Sequence, residues 1–401
     1  MHSSISSSDL TKGRLRTALQ TAIAGVLLFG GVIVAFQFLV NTLRGGDDRV
    51  TTQIGVLPEL VSQYPEKKKV MVFGSSMVQA GFEPLVFDEA MAQRGIDSVS
   101  YNYGMGGLNP EFQEIFTRRI QEAFQAADRK LDLALVEFNP FQATKVRKAA
   151  TVFIADQNVA ALSSNKELLD ITLRDPTRGV RLFNIRYFRA GISAELITTA
   201  LTRGVNQQAP KRSDAYRAAD RRSSELATQF REAVRSDLPE YKQAPWQRSF
   251  RGGRGDKTRL SAETLETLKE LMASRRHPEL LQVDLQRRID GADIIDLGFD
   301  QALVDAFIRM VKNFQAISAR VEVLLLPRNT DWVHYAPETR ARLDMVLKEI
   351  AKQANVVIKD YQTHPKISPE HFIDTTHLSL YDGIDIFTKI LAEDYAEVLR
   401  D

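Results

Sequence analysis

Short apolar runs alternate with segments of helical periodicity along most of this chain, and one long apolar stretch lies near its N-terminus. The strand-like runs are Val70–Phe73, Val99–Tyr103, Leu131–Phe138, Val321–Leu326 and Val356–Lys359. Three of them are nearly continuous in apolar residues, the pattern of parallel strands covered on both faces. Helical spacing marks Pro84–Arg94, Pro110–Ala127, Ala302–Ile317, Pro337–Gln353 and a last segment from about Tyr381 to Leu399. Pro84, Pro110 and Pro337 stand at first-turn positions, where a missing N–H costs nothing. The order β-α-β-α-β, an interruption, then α-β-α-β-α predicts a three-layer α/β fold with a flavodoxin-like, five-stranded parallel sheet.

The interruption, residues 141–299, is not strand-like. Leu265, Leu268, Leu271 and Met272 recur there at helical spacing behind Ser261, an N-cap candidate. A helical insertion over one end of the sheet is expected, with an exposed loop near Arg248–Arg259. The arginines of that loop suit an anionic partner, and a solvated surface loop explains them as well.

The apolar stretch covers residues 18–40, is broken only by Gln20, Thr21 and Gln37, and is long enough to span hydrocarbon as a helix. Lys12, Arg14 and Arg16 precede it, while Arg44 is followed by Asp47 and Asp48. That bias puts the N-terminus in the cytoplasm and the remainder outside. A cleaved signal peptide and a buried core helix are the competing readings. The stretch is long for a signal segment, and no small-x-small cleavage site follows it cleanly. The expected layout is a cytoplasmic tail (1–17), a transmembrane helix (18–40) and a juxtamembrane linker (41–66). An α/β domain follows, split into 67–140 and 300–401 by the insertion.

A chain of 401 residues, 44% of them hydrophobic, is ample for a sizeable core. A net charge of +2 makes no general case for nucleic acid. Without cysteine there is no disulfide and no thiolate metal site. No two of the six histidines show metal-ligand spacing beside suitable carboxylates, so no metal is expected. Gly104–Gly107 lacks the spacing of a dinucleotide fingerprint, and no cofactor is expected either.

In an open parallel sheet, ligands bind beyond the carboxyl ends of the strands. Four segments with candidate chemistry fall there. Gly74-Ser75-Ser76 follows the first strand, Asn102-Tyr103-Gly104 the second, and Glu137-Phe138-Asn139-Pro140 ends the third; Asp374-Thr375-Thr376-His377 precedes the last helix. A serine hydroxyl is a poor nucleophile until an imidazole takes its proton and a carboxylate orients that imidazole. Ser76, His377 and Asp374 are the catalytic candidates for acyl transfer. Each segment also has a plainer explanation: a helix-capping turn, a tight turn, a cap by Asn139, or a buried Asp/His pair. His334 and Asp331 stand after the fourth strand, at the pocket border or on ordinary surface.

These segments resemble the four blocks of the SGNH (GDSL-like) hydrolase superfamily. Gly74-Ser75-Ser76 is similar to the first block, Asn102-Tyr103-Gly104 to the second, and Asp374-Thr375-Thr376-His377 to the last. The third matches only through Asn139, with Glu137 and Pro140 in place of its first and last residues. The resemblance covers about 69–140 and about 320–395 and implies an SGNH fold. It further implies a nucleophile at Ser76, a base at His377 oriented by Asp374, and an oxyanion hole from the Ser76 and Gly104 N–H groups with Asn139 Nδ2. The N-terminal helix and large insertion resemble the membrane-anchored envelope branch that holds DltD-like and AlgJ-like proteins. That implies an extracytoplasmic acyltransferase or esterase acting on a cell-envelope glycan or polymer, beside a multi-pass membrane-bound O-acyltransferase. A catalytically idle polymer-binding or scaffold subunit is the alternative from another class, and a soluble lipase-like esterase is a third.

Overall fold

The computed structural model describes residues 17–32, 34–35, 49–106, 109–188, 212–239, 257–290 and 297–400. Five strands, β1 (Lys68–Gly74), β2 (Ser98–Gly104), β3 (Leu131–Glu137), β4 (Ser318–Leu325) and β5 (Val357–Asp360), form one sheet in the order β2-β1-β3-β4-β5. Every pairing is parallel. This order is compatible with a flavodoxin-like sheet, in which the winding reverses between β1 and β3 and opens a crevice at their carboxyl ends.

The two faces of the sheet bury different sets of side chains, as period-2 alternation requires. Met71, Phe73, Ala134, Val136, Val323 and Leu325 point to one side. They pack on Phe112, Phe116, Ile120 and Phe124 of helix α1 (Pro110–Ala126) and on Phe307, Val311 and Phe314 of α2 (Gln301–Gln315). Val70, Val72, Leu133, Leu135 and Leu324 point to the other. There they meet Phe87 and Met91 of Pro84–Ala92 and Phe387, Leu391 and Tyr395 of Gly383–Arg400. The result is a helix–sheet–helix sandwich.

Edge strand β2 alternates Ser98, Ser100 and Asn102 with apolar residues, yet all seven of its residues are buried. Each polar side chain is satisfied from the covering layer. Ser98 Oγ donates to Asp88, Ser100 Oγ to the Pro84 carbonyl, and Asn102 Nδ2 to the carbonyls of Val78 (3.0 Å) and Phe82 (2.6 Å). Burial of these groups is tolerable because none lacks a partner.

The insertion leaves and rejoins the sheet domain through a narrow neck, where Thr144 bridges Phe299. Lys145 N–H donates to the Gly298 carbonyl, and Asp300 N–H to that of Ala143. Its described residues are helical: Lys145–Leu162, Asn165–Arg174, Pro176–Phe188, Asp214–Asp237, Ala262–Arg275 and Pro278–Asp290. The first three enclose a small core against α1, with Val159, Leu168, Leu182 and Ile185 around Ile115. The next two pack Phe230, Leu268, Leu271 and Met272 on Leu380 and Ile384.

Two expectations change. The linker foreseen over 41–66 packs from residue 49 onward: Arg49–Gly55 and Leu57–Ser62 are helices, and Leu57, Leu60 and Val61 join the core. Apolar residues at helical spacing behind Pro58 explain this. In the arginine-rich loop, 248–256 lie outside the described residues, but Lys257 is fixed, with Nζ 2.7 Å from Asp385 Oδ1. The N-terminal stretch is helical over 17–32 and 34–35, with Leu19, Val26, Leu27, Leu28 and Phe29 exposed, while 33 and 36–40 lie outside the described residues. Among the described residues no helix is long and apolar enough to cross a membrane.

Candidate active site

The turn after β1 is held from below by a carboxylate. Glu137, the last residue of β3, is fully buried; it accepts the Ser75 N–H at 2.5 Å on Oε2 and the Ser75 hydroxyl at 2.9 Å on Oε1. Ser75 Oγ in turn accepts the Met77 N–H and caps the one-turn helix Ser76–Gln79. Gly74 leaves the space that Glu137 occupies: a Cβ there would come within 2.4 Å of Oε2. With Ser75 tied inward, its neighbour Ser76 turns outward into the crevice. Burial pushes the Glu137 carboxyl above its ordinary value, against the two hydrogen bonds from Ser75 and the charges of Arg328 and His377.

The facing loop is built around Asp374. Its Oδ1 accepts the N–H groups of Thr376 and His377, both at 2.7 Å, the local turn an aspartate side chain favours. Its Oδ2 lies 2.8 Å from His377 Nδ1 and 3.1 Å from Arg288 Nη2. Burial opposes the charge on Asp374. The hydrogen bond and charge of His377, the charge of Arg288 and the Thr376 N–H outweigh it, and the carboxyl titrates far below its ordinary value. An ionised oxygen at 2.8 Å requires the proton on Nδ1, since a bare nitrogen would set two lone pairs face to face. Nε2 is then the acceptor, and Ser76 Oγ lies 2.9 Å from it. Residues 301 positions apart thus meet at bonding distance.

The two oxyanion candidates fare differently. Asn139 uses Oδ1 to cap Pro140–Ala143 and to accept from Arg328 Nη2 at 2.9 Å. Its Nδ2 faces the turn, 3.4 Å from Ser75 Oγ and 3.8 Å from Met77 Sδ. The Gly104 N–H is committed elsewhere: it donates to Asn102 Oδ1 at 3.0 Å. Gly104 serves close packing, because a Cβ there would lie 2.2 Å from the Gln79 nitrogen. The glycine that abuts the nucleophile is Gly106, whose Cβ would stand 3.3 Å from Ser76 Cβ. Asn102-Tyr103-Gly104 therefore supports the turn rather than lining the site, a correction to the assignment of Gly104 as a donor.

A pocket of about 70 Å³ opens on Ser76, bordered by Asn139, Phe141, Arg147, Arg288, Arg328 and Thr376, among others. Arg328 is buried, lies over the Phe141 ring, and makes no ion pair among the described residues. His334 and Asp331 are exposed and do not line it. A larger hollow of about 450 Å³ lies at the opposite, amino-terminal edge of the sheet between Lys67, Lys69, Arg129 and Asp132, and holds neither nucleophile nor imidazole. Among the described residues no group of His, Asp and Glu is arranged to hold a metal ion.

Sequence reasoning missed Glu137 as the brace of the turn, Gly106, and the three arginines. Glu137 stood out only as a departure from a familiar block. Nothing in the sequence around Arg147, Arg288 or Arg328 marks them, since each reaches the site through tertiary packing. No family model matches this chain, and no curated protein matches it.

Proposed function

We propose that this chain is a serine-dependent O-acyltransferase or esterase of the SGNH type, working through an acyl-Ser76 intermediate. The carrying observation is the unbroken chain from Ser76 Oγ to His377 Nε2 and from His377 Nδ1 to Asp374 Oδ2. Ser76 Oγ attacks the acyl carbonyl carbon while its proton passes to Nε2. Collapse of the tetrahedral adduct breaks the ester bond, and the leaving alkoxide takes the Nε2 proton. A hydroxyl, from water or a sugar, then gives its proton to Nε2 and attacks the carbonyl carbon of acyl-Ser76; the bond from that carbon to Oγ breaks, and Oγ takes the proton from Nε2, which restores the serine. The Ser76 N–H at the helix start, Asn139 Nδ2 and the cationic lining of the pocket suit the negative charge that develops on the carbonyl oxygen.

The pocket is several-fold smaller than the roughly 300–1,000 Å³ that encloses a drug-sized ligand. At about 70 Å³ it favours a short acyl group, with any polymer lying outside. Residues 18–40 as an uncleaved anchor, an extracytoplasmic catalytic domain, a cell-envelope glycan or polymer as substrate, and a multi-pass O-acyltransferase as partner complete the reading. These four rest on the N-terminal apolar stretch and on the resemblance of the blocks.

Fluorophosphonate labelling of the purified protein, with p-nitrophenyl acetate hydrolysis as second readout, tests the reading. Both signals are expected, and both are expected to vanish in Ser76→Ala. The occupied Gly104 N–H favours a second reading, an idle polymer-binding subunit. Absence of labelling in the wild type would select it.

A further inference from the structure

The helix Pro278–Asp290 belongs to the insertion, outside the sheet domain, yet it reaches the loop that carries Asp374 and His377 through two side chains one turn apart. Asp284 Oδ2 accepts the Thr375 hydroxyl at 2.8 Å and the Arg288 Nε at 2.7 Å. Arg288, its side chain only 7% exposed, places Nη2 3.1 Å from Asp374 Oδ2 and 3.1 Å from His377 Nδ1. Burying a guanidinium is costly unless carboxylates compensate it, and two do here. Its fork engages both at once, which a lysine could not do.

We propose that Arg288 is a positioning residue of this site, and that the insertion thereby supplies part of the acyl-transfer machinery. The inference rests on the acyl-transfer reading above. Arg288 fixes the Asp374 oxygen that orients the imidazole, so the ring is held with Nε2 toward Ser76. Nδ1 carries a proton in the reactive tautomer and cannot accept from Arg288, so the guanidinium acts on the ring through Asp374.

The other charged groups around the ring are few. Asp374 and Arg288 touch it, Asp284 touches Arg288, Glu137 lies behind the serine turn, and Arg147 and Arg328 line the pocket. Arg275, one helix earlier, acts on Asp374 by charge. In Arg288→Met all of these remain, so a change in turnover reports the missing guanidinium.

The test is kcat and KM for p-nitrophenyl acetate in wild type, Arg288→Met and Arg288→Lys, with melting curves to verify folding. In Arg288→Met kcat should fall about ten- to a hundredfold with KM nearly unchanged, the mark of a misplaced base. Arg288→Lys, which cannot hold both carboxylates at once, should recover kcat only in part. A rise in KM at constant kcat would reduce Arg288 to a binding or structural contact and overturn the inference, as would unchanged kinetics. Should Arg288→Met not fold, the lysine variant decides: wild-type kcat there refutes the need for the fork. If the wild type shows no Ser76-dependent labelling, the acyl-transfer reading itself has failed, an outcome distinct from these.

Discussion

Replacing Asp374 by asparagine changes one atom and should nearly abolish activity, for a reason visible in the loop. Oδ1 of Asp374 accepts two backbone N–H groups at 2.7 Å, so an asparagine must keep its carbonyl oxygen there. Its amide nitrogen then falls where Oδ2 faces His377 Nδ1 and Arg288 Nη2. An N–H pointing at Nδ1 forces the imidazole proton onto Nε2. In that tautomer Nε2 donates to Ser76 Oγ and can no longer take its proton. Arg288 meanwhile loses a counter-charge and faces a second donor. Wrong-tautomer variants of other Ser-His-Asp enzymes lose about 10⁴ in kcat, equivalent to about 5 kcal/mol of transition-state stabilisation. The assay is p-nitrophenyl acetate turnover near neutral pH, with the rate of fluorophosphonate labelling as a second measure. Asp374→Asn that is folded and within tenfold of wild type would refute the assigned tautomer and, with it, the role of the carboxylate.

Gly74→Ala drives a methyl to 2.4 Å from Glu137 Oε2 and 2.6 Å from Val78 Cγ2. It should cost on the order of 3 kcal/mol in denaturant unfolding, since both neighbours are packed and neither can retreat. Asn139→Ala removes the Nδ2 donor and the acceptor of Arg328, and should lower kcat about a hundred- to a thousandfold with little change in KM; a rise in KM at constant kcat would assign it to binding instead. Asp374 holds its proton more weakly folded than unfolded. Its contribution to stability is therefore fully present above the unfolded value, 3.8, and drains as pH falls toward the much lower folded one. Urea unfolding below pH 4 should show this loss in the wild type and a smaller one in Asp374→Asn.

The parts of this protein that could be read along the chain are those whose cause is local. Val70–Phe73 and Leu131–Phe138 are apolar because both faces of their strands are covered, and they emerge as the central strands β1 and β3. Strand β2 was legible too; the Ser98, Ser100 and Asn102 side chains that alternate along it are satisfied by Asp88 and by the Pro84, Val78 and Phe82 carbonyls. The meeting of Ser76 with His377 followed from strand order, because parallel winding gathers the loops after the strands on one rim. What stayed hidden needed the third dimension. The resemblance assigns the Gly104 N–H to the oxyanion, but Asn102 Oδ1 accepts it. Glu137, which departs from the first residue of the third block, is the clamp that turns Ser75 inward and Ser76 out. Arg288 lies 86 residues from Asp374, on a helix of the insertion that reaches the loop only through tertiary packing.

The most direct test of the account is to trap the enzyme with acetyl groups and map where they sit. Rapid acid quench after mixing with p-nitrophenyl acetate, followed by peptide mass analysis, should find the acetyl ester on Ser76, absent from Ser75 and lost in Ser76→Ala. A wild-type protein that releases nitrophenol without acetylating Ser76, or that carries the acetyl on another residue, would contradict it.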